Sequence, residues 1–168
     1  MYILSQIFGL GAIIALFSSY QQNKRIRFLT CKLCADVCWV GHYFLLGAYA
    51  GIIPNFVGIF REVIFMNSEK HKWANSPLWL IGFLCLNLTL GIINYKTFID
   101  ILPIIASVFV TVSMWIKHLS TTKLTVSVAC ILFWIYNFFI GSLVGIASET
   151  ISLISIILFF IRRKNNGK

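Results

Sequence analysis

Seven apolar runs divide the chain, at 4–20, 28–46, 52–66, 78–94, 101–116, 124–140 and 143–161, with short polar segments between them. None alternates apolar and polar positions at the two-residue period of a transmembrane barrel strand. The runs approach the roughly 20 residues a helix needs to cross a bilayer. Backbone polar groups in lipid must be paired within the segment, and helices achieve this. The pattern therefore predicts an all-α, polytopic membrane protein with seven transmembrane helices.

Two stretches of the pattern resemble each other. "WVGHYFLLGAYAGI" begins at Trp39 and "WIYNFFIGSLVGI" at Trp134. Each starts with Trp, passes through aromatic residues and ends in Gly-x-x-x-Gly-Ile, at Gly47/Gly51/Ile52 and Gly141/Gly145/Ile146. The glycines are 94 residues apart, and the same shift aligns "SYQQNK" (19–24) with "SMWIKH" (113–118). Each pair of glycines brackets a tight turn between two spans. The reading is a 3-1-3 arrangement of two parallel triple-helix repeats: residues 1–67, a linker transmembrane helix within 68–97, and residues 98–168 with a basic tail. Three spans reverse the side on which the chain emerges, so one extra span restores the orientation of the second triplet. Ser76-Pro77 opens the linker helix, with Pro at its first helical position. The other explanation is a chance likeness of two apolar hairpins.

Composition agrees with a bilayer. The chain is 59% hydrophobic and 11% charged, against about 25% charged for soluble domains. The net charge of +9 would raise nucleic acid as a partner in a soluble protein. Here the basic residues lie between apolar runs, and the positive-inside rule accounts for them without nucleic acid. Lys24, Arg25, Arg27, Lys70, Lys72, Lys117, Lys123, Arg162, Arg163, Lys164 and Lys168 fall on one side and Lys96 on the other. This predicts the N-terminus outside and the C-terminus in the cytoplasm. "MYILSQIFGL" lacks a basic n-region and reads as a retained first span. Cys31, Cys34, Cys38, Cys85 and Cys130 lie in apolar runs, so no disulfide framework is expected.

Ionisable groups inside spans are the candidates for function, because each is expensive in lipid and normally faces a cavity or a partner. Asp36 lies near the middle of the second run. Lys32, Trp39 and Tyr43 share its helical face, at i−4, i+3 and i+7. Lys32–Asp36 is either a structural ion pair or part of a cavity lining. Arg61, in the third run, either snorkels to headgroups or reaches Asp36. In the second triplet Asn137 and Glu149 occupy the positions matched by Tyr43 and Asn55. Polar groups at matched positions would line a shared cavity, and Glu149 near an interface would otherwise be hydrated. Trp39 and Trp134 would either stack on a substrate ring or anchor at an interface. Cys31, Cys34, Cys38 and His42 form one helical stripe, but one straight helix cannot wrap four ligands around one ion, and no metal site is expected. Walker, H-E-x-x-H and G-x-S-x-G motifs are missing, so neither a cofactor nor enzymatic activity is expected.

"HYFLLGAY" (42–49), "IFR" ending at Arg61, and "NFFIGS" (137–142) followed by Glu149 resemble the YgjV-like family of bacterial inner-membrane proteins. That resemblance implies the inner (cytoplasmic) membrane. More distantly, parallel triplets with the N-terminus outside resemble the SWEET and PQ-loop superfamily. The chain departs from that pattern: it has no Pro-Gln dipeptide, and Pro54, Pro77 and Pro103 lie near the starts of helices. The resemblance implies a transporter or facilitator of a small polar solute, with Asp36, Trp39, Tyr43, Asn55, Asn137 and Glu149 as substrate-binding candidates and Asp36, Arg61 and Lys32 as an ion-pair group. The alternative is a non-transporting receptor, assembly factor or structural subunit. The partner common to both is the lipid bilayer, and lipid-facing helices also permit oligomerisation.

Overall fold

The computed structural model describes residues 2–46, 49–93, 95, 97–139 and 143–165. These form seven α-helices: α1 (Tyr2–Gln21), α2 (Arg25–Leu46), α3 (Tyr49–Asn67), α4 (Pro77–Ile93), α5 (Ile101–Trp115), α6 (Leu119–Phe139) and α7 (Leu143–Asn165). A 3-10 turn, Phe98–Asp100, precedes α5, and no strand occurs among the described residues. Each helix follows one apolar run. Pro77 opens α4, where its missing N–H costs nothing. The turns carrying Gly47 and Gly141 lie outside the described residues, as does the side chain of Tyr43.

Among the described residues, four segments are long and apolar enough to cross a membrane: Ile3–Gln21, Phe98–Trp115, Leu119–Phe139 and Gly145–Asn165. The expectation of seven spans is thus met at the level of seven helices and four such segments. α4 is apolar but has 17 residues. α2 and α3 are long, but α2 carries Arg25, Arg27, Lys32 and Asp36, and α3 carries Arg61 and Glu62.

The chain divides into two compact units, Met1–Ser76 and Pro77–Lys168. In the first, α2 packs against both α1 and α3. α1 offers it small buried residues, Ser5, Gly9, Ala12 and Ser19, and small residues let membrane helices approach closely. A Cβ on Gly9 would meet the His42 ring at 3.0 Å, and His42 Nδ1 lies 2.7 Å from the Ser5 carbonyl oxygen. In the second unit α6 packs against α5 and α7. α4 joins α5 through Asn87 Nδ2, which donates to Thr111 Oγ1 at 2.8 Å.

The helix boundaries repeat. Gln21 and Trp115 end α1 and α5, and Arg25 and Leu119 begin α2 and α6; each pair is 94 residues apart. Buried positions repeat at the same offset: Ala12 with Ala106, Ser19 with Ser113, Ala35 with Ala129, and Phe65 with Phe159.

One basic residue departs from the sequence reading. Lys123, counted above as a loop residue, is inside α6, which begins at Leu119. It is fully buried, and its ammonium lies 3.0 Å from the centre of the Phe159 ring. An apolar stem beneath an aromatic-capped charge lets a lysine enter a helix interface.

Candidate functional site

Asp36 lies at the middle of α2 and Gly58 at the middle of α3, and the two positions touch. A Cβ on Gly58 would fall 2.5 Å from Asp36 Oδ2 and 3.5 Å from Arg61 Nη2. The bare backbone of α3 therefore makes room for the carboxylate, and Arg61 approaches the same point from the next turn. Gly58, Arg61, Glu62 and Phe65 are spaced by three, one and three residues, which puts them on one helical face, and all four are buried.

Four charged groups meet there. Lys32 Nζ pairs with Asp36 Oδ1 one turn away. Arg61 Nη2 pairs with Glu62 Oε1 at 3.1 Å. Arg61 and Glu62 both interact electrostatically with Asp36. Asp36 is 1% exposed, Arg61 6% and Glu62 fully buried, so Arg61 does not snorkel to a surface of its unit. The charges sum to zero, which is how such groups persist away from water. Satisfaction is incomplete: Asp36 Oδ2 and Glu62 Oε2 are buried and accept no hydrogen bond among the described residues. Glu62 was missed in the sequence, although its signal was present, an acid beside Arg61 inside an apolar run.

A second pair lies toward the far end of α3. Arg25 Nη1 donates to the Phe65 carbonyl at 3.0 Å and faces Glu69 Oε1 at 3.5 Å. Glu69 is half exposed, so this pair contributes little.

The other candidates are distributed over both units. Trp39 is half-buried and meets the His42 ring edge-on, with centroids 5.4 Å apart. Asn55 is half-buried in α3. In the second unit Asn137 Nδ2 donates to the Phe133 carbonyl at 2.8 Å, and its carboxamide fills the space a Cβ on Gly145 would need. That amide is engaged in its own helix pair. Glu149 is half-buried. Trp134 Nε1 donates to Thr150 Oγ1 at 3.0 Å, and its ring stacks on Phe138, so the indole is held by local contacts. Of the cysteine stripe, Cys34 is exposed, and no group of metal-ligating side chains occurs among the described residues.

The equivalents of the charged cluster, 94 residues on, carry no charge. Lys32, Asp36, Gly58, Arg61 and Glu62 match Val126, Cys130, Ser152, Ser155 and Ile156, and these five are all buried.

Apolar helices of this kind accord with what comparison by sequence finds. The profile of the Imp-YgjV family, described as bacterial inner membrane protein, matches residues 3–166. The chain belongs to the Imp-YgjV family. No curated protein matches it, and no solved structure does. The match runs through both units, so the charged cluster of α2 and α3 and its uncharged counterpart in α6 and α7 both lie within the Imp-YgjV region.

Proposed function

We propose that this Imp-YgjV protein is a transporter or facilitator of a small polar solute. In this reading it has seven spans in a SWEET-like 3-1-3 arrangement of parallel triplets, with the N-terminus outside and the C-terminus in the cytoplasm. The 94-residue offset of helix ends and buried positions supports the two triplets. One observation carries the functional reading. The second triplet forms the same three-helix packing with Val126, Cys130, Ser152, Ser155 and Ile156 where the first has Lys32, Asp36, Gly58, Arg61 and Glu62. Packing of such a triplet therefore does not require charges at these five positions. Each ionisable residue at mid-span costs at least about 2.5–3.5 kcal/mol on insertion scales. Groups that expensive and dispensable for packing are retained for what they bind. No enzymatic step is assigned to the site, and the energy source is a gradient.

The neutral sum of the cluster favours a second reading, a non-transporting receptor, assembly factor or structural subunit in which attraction between Asp36 and Arg61 holds α2 to α3. Uptake into liposomes carrying the purified protein separates the two. A panel of labelled sugars, amino acids, polyols and small carboxylates, ranked first by thermal shift, is the probe. The transport reading predicts uptake of at least one solute and its loss in Asp36→Asn. Folded wild-type protein that takes up none, and is shifted by none, contradicts it.

A further inference from the structure

We propose that Asp36 and Glu62 form a proton-binding site and that the proton is the coupling ion; the coupling role rests on the transport reading, whereas proton binding does not. Each carboxylate has one oxygen engaged, Asp36 Oδ1 by Lys32 and Glu62 Oε1 by Arg61. Each has a second oxygen, Oδ2 and Oε2, that is buried without a donor among the described residues. An ionised carboxylate accepts at both oxygens, and a buried acceptor left without a donor is costly. Proton uptake converts one bare oxygen to a hydroxyl and removes one negative charge. Lys32 and Arg61 favour the ionised form. Opposing forces of this kind make a group that exchanges its proton.

The surroundings favour a proton over a metal cation. Lys32 from α2 and Arg61 from α3 would repel an alkali ion seated between the carboxylates. α1 contributes no acidic or basic residue. Its titratable side chains are Tyr2 and Tyr20, and Tyr20 packs on Phe28. On α2 the thiols of Cys31 and Cys38 are half-buried, and His42 is turned to the Ser5 carbonyl. The Arg25–Glu69 pair lies toward the other end of α3. Uptake of one proton from water takes the four-group cluster from zero to +1, with no other bond made or broken. Cys130, Ser155 and Ile156 offer no carboxyl for the step, so the matched positions of α6 and α7 do not repeat the site.

Infrared difference spectroscopy on the full chain in lipid tests this. The chain contains five acids, Asp36, Glu62, Glu69, Asp100 and Glu149. Carbon-13 glutamate labelling of Glu69→Gln/Glu149→Gln leaves Glu62 as the one labelled carboxyl, and labelled aspartate in Asp100→Asn leaves Asp36. A protonated-carboxyl band that weakens as pH rises is expected from one of the two. It should vanish in Glu62→Gln or Asp36→Asn. Unsubstituted wild type, read by its slowly deuterating band, provides the same measurement if a variant fails to fold. Absence of any such band at both positions overturns the proposal. A titrating band without solute uptake supports the proton site and defeats the transport reading. Uptake without a band leaves transport standing and overturns proton coupling.

Discussion

Gly58 shows how one missing side chain creates the cluster. Its hydrogen leaves the space that Asp36 Oδ2 occupies, 2.5 Å from where a Cβ would sit. Gly58→Ala should therefore displace a buried carboxylate and lower stability by about 1–3 kcal/mol, read as a fall in Tm of the detergent-solubilised protein. Arg61 flanks the same point. Arg61→Gln alone should cost about 3–5 kcal/mol, because it strands buried carboxylate charge. A double-mutant cycle with Asp36→Asn should show coupling above about 0.5 kcal/mol, and additive effects would mean that Arg61 serves Glu62 alone. Asp36, Lys32 and Arg61 were legible in the sequence because an ionisable group in an apolar run stands out by its cost. Glu62 was not, because an acid next to Arg61 in an apolar run does not reveal which face of the helix it takes. Gly58 was not, because nothing in sequence says which glycine faces a carboxylate across two helices.

At the scale of the helix, apolar runs located all seven elements, since a bilayer-length run of helix formers has few alternatives. Ends were harder to place. Lys123, the last residue before the sixth run, belongs to α6, because α6 starts at Leu119 and its lysine finds the Phe159 face. A sequence cannot show which ring will lie under an ammonium one helix away. Phe159→Leu keeps an apolar residue but removes that face, and should cost about 1–3 kcal/mol from lost cation–π attraction and poorer packing. Chemical denaturation of the purified protein measures it. An unchanged midpoint would show that Lys123 is held by other groups. In the second unit Asn137 donates to the Phe133 carbonyl and Trp134 of α6 to Thr150 of α7; hydrogen bonds of this kind are invisible to spacing arguments.

For the molecule as a whole, glycine spacing and polar helix exits recur in the sequence at a shift of 94 residues, and helix boundaries keep that shift. The asymmetry of charge between the triplets needed the buried positions as well. Orientation is a separate expectation. In a cysteine-free background, Glu69→Cys and Tyr95→Cys, both exposed, should be labelled by an impermeant thiol reagent from opposite sides of the membrane, Glu69→Cys from the cytoplasm. Labelling of both from one side would contradict a single span between Glu69 and Tyr95 and with it the 3-1-3 arrangement. The central claim, that the charges serve binding and not packing, is tested most directly by thermal unfolding of a chain whose first triplet carries the residues of the second: Lys32→Val, Asp36→Cys, Gly58→Ser, Arg61→Ser and Glu62→Ile together. Apolar replacement of a buried ion-pair network is often neutral or stabilising, so this variant should melt at or above the wild-type temperature and well above Arg61→Gln alone. A variant that fails to fold, or melts below Arg61→Gln, would show that the charges hold the first triplet together.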